Sequence, residues 1–176
     1  MSDLFNDSSE SFYDPSQDDS GYVIVPEGDY EAHVTGLEIK ENVVVKNKFL
    51  SDIFSPIFKI ASGDYKGKTV KSKGFFRFKK PDEDRYPNLS DNRGSNKGYK
   101  TLIEVLGINP ESKEIDGNVV FKLPLIKSYD IEGKPAIVKV AHDKWTNNEG
   151  EEVVYPKVVN LFKWEGGEEV EGDLPF

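Results

Sequence analysis

A spacing of two residues between apolar side chains runs through most of this sequence, and a spacing of 3.6 interrupts it once. Alternation places side chains on opposite faces of a strand, whereas apolar residues at i, i+3, i+4 and i+7 line one face of a helix. Tyr30, Ala32, Val34 and Gly36 alternate with Glu31, His33, Thr35 and Leu37, and the pattern continues to Lys40. This is a first long strand, and Gly36 marks a bulge or bend within it. Ahead of it, Tyr22–Val25 is a short β-branched run stopped by Pro26, and Glu27-Gly28-Asp29 is a turn. A second strand is expected over Ile53–Ala61 and a third over Thr69–Phe78, joined through a glycine-containing turn, Gly63–Lys68. Ala136–Trp145 and Val153–Trp164 form a further pair about Asn147-Asn148-Glu149-Gly150, residues suited to positive φ. Asn42–Leu50 and Val119–Ile126 stay open, the first because Val43–Val45 is followed by polar residues, the second because Pro124 interrupts it.

The single helix is read at Tyr99, Leu102, Ile103 and Leu106, with Ser95 or Asn96 as its cap and Gly107 and Pro110 at its end. Five strands with one helix between the third and fourth, and no βα alternation, lead to a mainly β fold: a five-stranded Greek-key barrel of the OB type. A β-sandwich or SH3-like barrel is the alternative. Only 36% of the residues are hydrophobic, so part of the chain is expected not to pack. The division is a disordered acidic arm over 1–21, the barrel over 22–164, and an acidic tail over 165–176.

Charge is segregated in the same way. The net charge is −9. Residues 1–21 hold six acids and no base, and 165–176 hold five acids and no base. What remains carries 21 acids and all 23 bases, a net of +2, and within it residues 59–100 hold 12 bases and five acids. A basic region between two acidic ends indicates a polyanion site with separate interaction tails.

Tyr65–Lys80 concentrates that region. On one uninterrupted strand, Lys71, Lys73, Phe75, Arg77 and Lys79 share a face, while Val70, Phe76 and Phe78 on the other enter a core. Cations for phosphates and flat rings for unstacked bases are what a single-stranded nucleic acid requires. Lys66 and Lys68 in the turn, Arg85, Tyr86 and Arg93 in the long polar loop 79–97, Lys100 on the helix, and Lys139, Lys144, Trp145, Tyr155 and Lys157 on the last strand pair complete the expected DNA-binding set. A solvated strand of lysines is the plainer reading of the same residues.

Catalytic chemistry finds no footing. The chain has no cysteine, and its two histidines, His33 and His142, sit on alternating patterns far apart, so a metal site is not expected. Asp82-Glu83-Asp84 reads as a charged loop, and no Ser-His-Asp set is legible. Gly63-x-x-x-Gly67-Lys68-Thr69 is one residue short of a phosphate-binding loop and runs into a strand. The protein is therefore expected to be no enzyme and to need no cofactor. No apolar run approaches the ~20 residues of a membrane span.

The tail ends Glu168-Glu169-Val170-Glu171-Gly172-Asp173-Leu174-Pro175-Phe176. An apolar ring and a carboxylate at the tip of an anionic tether form a docking peptide for a pocket lined with Arg or Lys. The tip resembles that of bacterial and phage single-stranded DNA-binding proteins, which end in acids followed by Ile-Pro-Phe or Leu-Pro-Phe. The body resembles phage-encoded members with the OB fold through Pro26-Glu27-Gly28-Asp29-Tyr30, Tyr65-Lys66-Gly67-Lys68, Leu102–Ile108 and Gly133-Lys134-Pro135, over roughly 22–176. The arm 1–21 and the loop 79–97 fall outside it. The resemblance implies a DNA-binding protein of replication, recombination or repair in the host bacterial cytoplasm. Asp173, Leu174, Pro175 and Phe176 would recruit partner proteins, and the tail would weaken DNA binding by occupying the groove. Whether the chain pairs as a homodimer stays open. The competing reading is a protein-interaction module with a β-barrel core and no nucleic-acid role.

Overall fold

The long alternating stretch after Pro26 becomes one bent strand that organises the rest. In a computed structural model, which describes residues 24–171, β1 runs over Gly28–Val45 and turns back into β2, Phe49–Ile60. Lys46 and Asn47 at the turn have φ of 53° and 55°, the conformation that matches the twist of a tight hairpin. The open stretch around Val43–Val45 is thus strand. Register shifts at Val34/Gly36 and Lys40/Val43 bend β1, so it pairs with β2 along its length and with β7, Pro135–Thr146, through Gly28–His33. β8, Glu152–Phe162, pairs with β7. These pairings are all antiparallel, and with β3 (Thr69–Lys71) on the far edge of β2 the order is β3-β2-β1-β7-β8, with β4 (Phe75–Lys79) also on β2. A parallel bridge from Ser72 to Val158, with the Lys73 amide donating to the Val158 carbonyl (2.9 Å), links the first strand of that order to the last.

The expected third strand is two pieces, β3 (Thr69–Lys71) and β4 (Phe75–Lys79), both on the same edge of β2. Lys71 lies opposite Ile57, and an unbroken register would then place Gly74 opposite Phe54; Phe75 is there instead. One extra residue at Ser72–Gly74 reverses the side-chain phase. Residues opposite one another share a face, so Phe75 follows Phe54 into the core at 8% exposure, while Phe76 is 38% exposed. The face assigned to Phe75 from the sequence is therefore corrected to Phe76. Gly74 suits the bulge: a Cβ there would sit 2.2 Å from Ile53 Cγ2.

Helix α1, Lys97–Val105, lays Tyr99, Leu102 and Ile103 into the core with Phe54, Phe58 and Val138. It ends with the Gly107 amide on the Glu104 carbonyl and the Ile108 amide on the Ile103 carbonyl, with Gly107 at φ 85°, a left-handed C-terminal cap. Asn96 occupies the start, but its side chain makes no cap. Instead its Oδ1 accepts from the Phe78 amide (2.7 Å), fastening the helix start to β4. Between α1 and β7 come a two-stranded hairpin, β5 (Glu111–Ile115) and β6 (Asn118–Lys122), and a single helical turn, α2 (Ser128–Ile131). The stretch left open from the sequence thus forms a strand followed by the buried Ile126.

Residues 165–171, expected as the start of a free tail, lie against the body. The Val170 amide donates to the Gly133 carbonyl (2.9 Å), Lys134 pairs with Glu169 (3.1 Å), and His33 Nε2 sits 2.9 Å from the Glu168 carbonyl oxygen. Gly133 has φ 82°, and a Cβ there would stand 1.8 Å from the Val170 oxygen. The arm 1–21 lies outside the described residues, as does Asp173–Phe176.

Candidate nucleic-acid interface

The bulge that turns Phe75 inward turns a row of cations and rings outward. Lys40 on β1 and Phe76 on β4 both lie opposite Ile53 of β2, one row across three strands. Lys71 and Lys73 come from β3 and the bulge, and Tyr155 and Lys157 from alternate positions of β8. Together with Ser55, Ser72 and Gly74 they line an open cleft of about 370 Å³. The β3–β8 bridge at Ser72 brings β8 to the cleft.

Rings flank the cleft on both sides. On the hairpin side, Trp145 and Tyr155 lie 6.3 Å apart between centroids, and Trp145 is 49% exposed. On the β4 side, Phe76 stacks on Phe78 at 5.9 Å and 20°, and Phe78 meets Phe49 edge-on at 5.8 Å. Lys48 holds its ammonium 5.5 Å from the Phe49 ring. Three of the four cleft lysines have acid partners: Lys40 (4.0 Å) and Lys71 with Glu38, and Lys157 with Asp143 (2.6 Å). The hydrogen bond from Lys71 holds the Glu38 carboxyl below its ordinary pKa, so the carboxylate stays charged.

No protein-family model matches this chain, and no curated protein matches it in sequence. The site has to be read from its own geometry. Among the described residues no group of His, Asp and Glu is placed to hold a metal, and no helix is long and apolar enough to cross a membrane.

Of the residues expected to bind DNA, Lys71, Lys73, Tyr155 and Lys157 meet in the cleft, with Trp145 and Lys144 beyond them on the same hairpin. Others serve different ends. Phe75 is in the core, with the Lys73 ammonium 5.5 Å from its ring. Arg77 is half-buried: it donates to the Leu123 carbonyl (3.1 Å) and lies 5.7 Å from the Tyr99 ring. Lys79 spans Asn42 (2.7 Å) and the buried Asp52 (3.2 Å). These are braces between elements rather than open cations.

Lys66 and Lys68 sit in the β2–β3 turn, where Lys66 lines a separate cavity with His33, Val170 and Glu171. The acidic stem thus lies toward the opposite end of β2 from the cleft. Arg85 covers Tyr86 (5.6 Å) in the polar loop, and Arg93 pairs with Asp91 (2.8 Å). Lys100 pairs with Glu104 (2.7 Å) and stands 4.2 Å from the Phe121 ring. Lys139 is exposed on β7, opposite Asp29 and Asn160, away from the cleft lining. The sequence reading missed Lys40, Lys48, Phe49, Phe76 and Phe78. Only the glycine at position 74 hinted at the phase reversal that exposes Phe76 and leaves Phe78 half-buried.

Proposed function

We propose that this protein is a non-catalytic single-stranded DNA-binding protein. The observation that carries the reading is the cleft itself: Lys40, Lys71, Lys73 and Lys157 surround it while Phe76 and Tyr155 present flat, accessible rings. Ammonium groups match phosphates, and rings match bases freed from stacking, which a duplex keeps hidden. The bent β1, the strand order and the Ser72–Val158 bridge support an OB-type barrel as the scaffold, with the cleft on its outer face. A phage role in replication, recombination or repair, with partners drawn to Asp173–Phe176, rests on the resemblance of the terminal peptide and body segments.

Titration with oligo(dT) while following tryptophan emission tests this. Trp145 stands in the ring row and is quenched on stacking, whereas Trp164 packs 5.3 Å from His33 and responds little. Binding should exceed that of duplex DNA of equal length. Contacts from four lysines, at about −0.7 each, give a log–log salt slope of roughly −3. Equal affinity for duplex, or an emission that never changes, removes the proposal in favour of a protein-interaction module.

Glu38 supplies a second test. Glu38→Gln deletes the charge that holds Lys71, leaving the ammonium to phosphate. Affinity for oligo(dT) at low salt is expected to rise severalfold, with a steeper salt slope. Unchanged affinity would show that Lys71 does not contact the strand.

A further inference from the structure

The β5–β6 hairpin stands out from the rest of the fold because every residue of both its strands is exposed. A two-stranded ribbon is marginal in water by itself, and an uncovered strand edge is a template for another strand. The two edges of this ribbon differ in chemistry. β5 reads Glu111-Ser112-Lys113-Glu114-Ile115, a charged edge. β6 reads Asn118-Val119-Val120-Phe121-Lys122, with no charge between its ends and exposures of 63%, 46% and 41% for its three apolar residues.

Backbone geometry fixes which groups the β6 edge offers. Asp116 and Gly117, at φ 51° and 78°, make a two-residue turn flanked by the Ile115–Asn118 pair. In such a hairpin the pair beside the turn exchanges both backbone hydrogen bonds, and bonded and non-bonded pairs alternate from there. Asn118, Val120 and Lys122 therefore bond to β5, while the N–H and C=O groups of Val119 and Phe121 point to the open edge. An antiparallel copy of β6 centred on Val120 meets that edge in register. Val119 faces the partner's Phe121 as a hydrogen-bonded pair, twice by symmetry, giving four backbone hydrogen bonds. Val120 faces the partner's Val120, and Lys122 faces the partner's Asn118. Each aromatic–β-branched pair is a favourable cross-strand contact, and no like charges meet. The same operation on β5 centres Lys113 on its own copy, with like charges directly opposed.

We propose that β6 is a self-complementary edge through which two copies of this chain pair about a two-fold axis, forming a four-stranded sheet from two hairpins. The interface is independent of the cleft and of DNA.

Light scattering on the full chain without DNA should give the dimer mass, falling toward monomer on dilution. Val119→Pro deletes one outward N–H, leaves the β5–β6 bonds intact, and should give a monomer. The chain has no cysteine, so Val120→Cys introduces a single thiol. At the centre of the axis it would face its copy across a non-bonded pair with a Cα separation of about 4.5 Å, within the range a disulfide bridges. Mild oxidation should convert Val120→Cys to a covalent dimer and leave Lys113→Cys monomeric. A wild-type mass that stays monomeric at every concentration overturns the proposal. So does a dimer that survives Val119→Pro, or cross-linking of Lys113→Cys as fast as Val120→Cys. None of these results bears on oligo(dT) binding, which is measured separately.

Discussion

Replacing Phe76 and Tyr155 together by alanine should weaken oligo(dT) binding by about 2–6 kcal/mol, since each stacked base contributes about 1–3 kcal/mol. The lower limit is roughly a 30-fold rise in Kd. Both rings are 38% exposed, so their removal should change thermal stability little. The informative control is Phe75→Leu. Phe75 is 8% exposed and lies opposite Phe54, so this change should lower stability and leave affinity near wild type. Measured by titration and melting, the two variants separate a base platform from a core ring. If Phe75→Leu lost affinity and the double alanine variant kept it, the cleft would be on the wrong face.

Tyr99→Phe is expected to cost about 1–3 kcal/mol of folding stability. The Tyr99 hydroxyl joins two backbone groups: it donates to the carbonyl of the exposed Pro124 (2.5 Å) and accepts from the amide of the buried Ile126 (3.1 Å). Removing the oxygen strands the buried Ile126 amide, at about 1–3 kcal/mol for an unsatisfied buried group, and leaves the Pro124 carbonyl to water. The ring itself, 5.0 Å from Phe54 and beside Arg77, is kept, so a cavity does not add to the loss. Burial also raises the hydroxyl pKa, so it remains a donor through neutral pH. Denaturant unfolding measures the change. A loss below a few tenths of a kcal/mol would mean that water satisfies the Ile126 amide.

The four long strands and the helix α1 were legible because each keeps its period over several residues, even where a bulge interrupts β1. β1, β2, β7 and β8 each alternate over long stretches, and Tyr99, Leu102 and Ile103 keep helical spacing. The interface was legible only in part, because its register depends on one inserted residue. Alternation read through Ser72–Gly74 places Phe75 outside and Phe76 inside, and pairing with β2 reverses both. Arg77 and Lys79 fail for a different reason. Composition counts a cation wherever it stands, but these two are engaged by Leu123, Asn42 and Asp52, residues brought near by tertiary packing. Lys40 and Lys48 were overlooked because they lie outside the basic stretch and reach the ring rows only through the β1–β2 hairpin. The β5–β6 hairpin escaped notice because Pro124 obscured its end and none of its residues is buried.

Fixing Val170 to the Gly133 carbonyl sets the length of the leash beyond it. Phe176 stands five residues beyond Glu171, and five residues span at most about 18 Å fully extended. A protein that gripped Phe176 while the clasp holds would sit within that radius of Glu171, a near neighbour rather than a distant visitor.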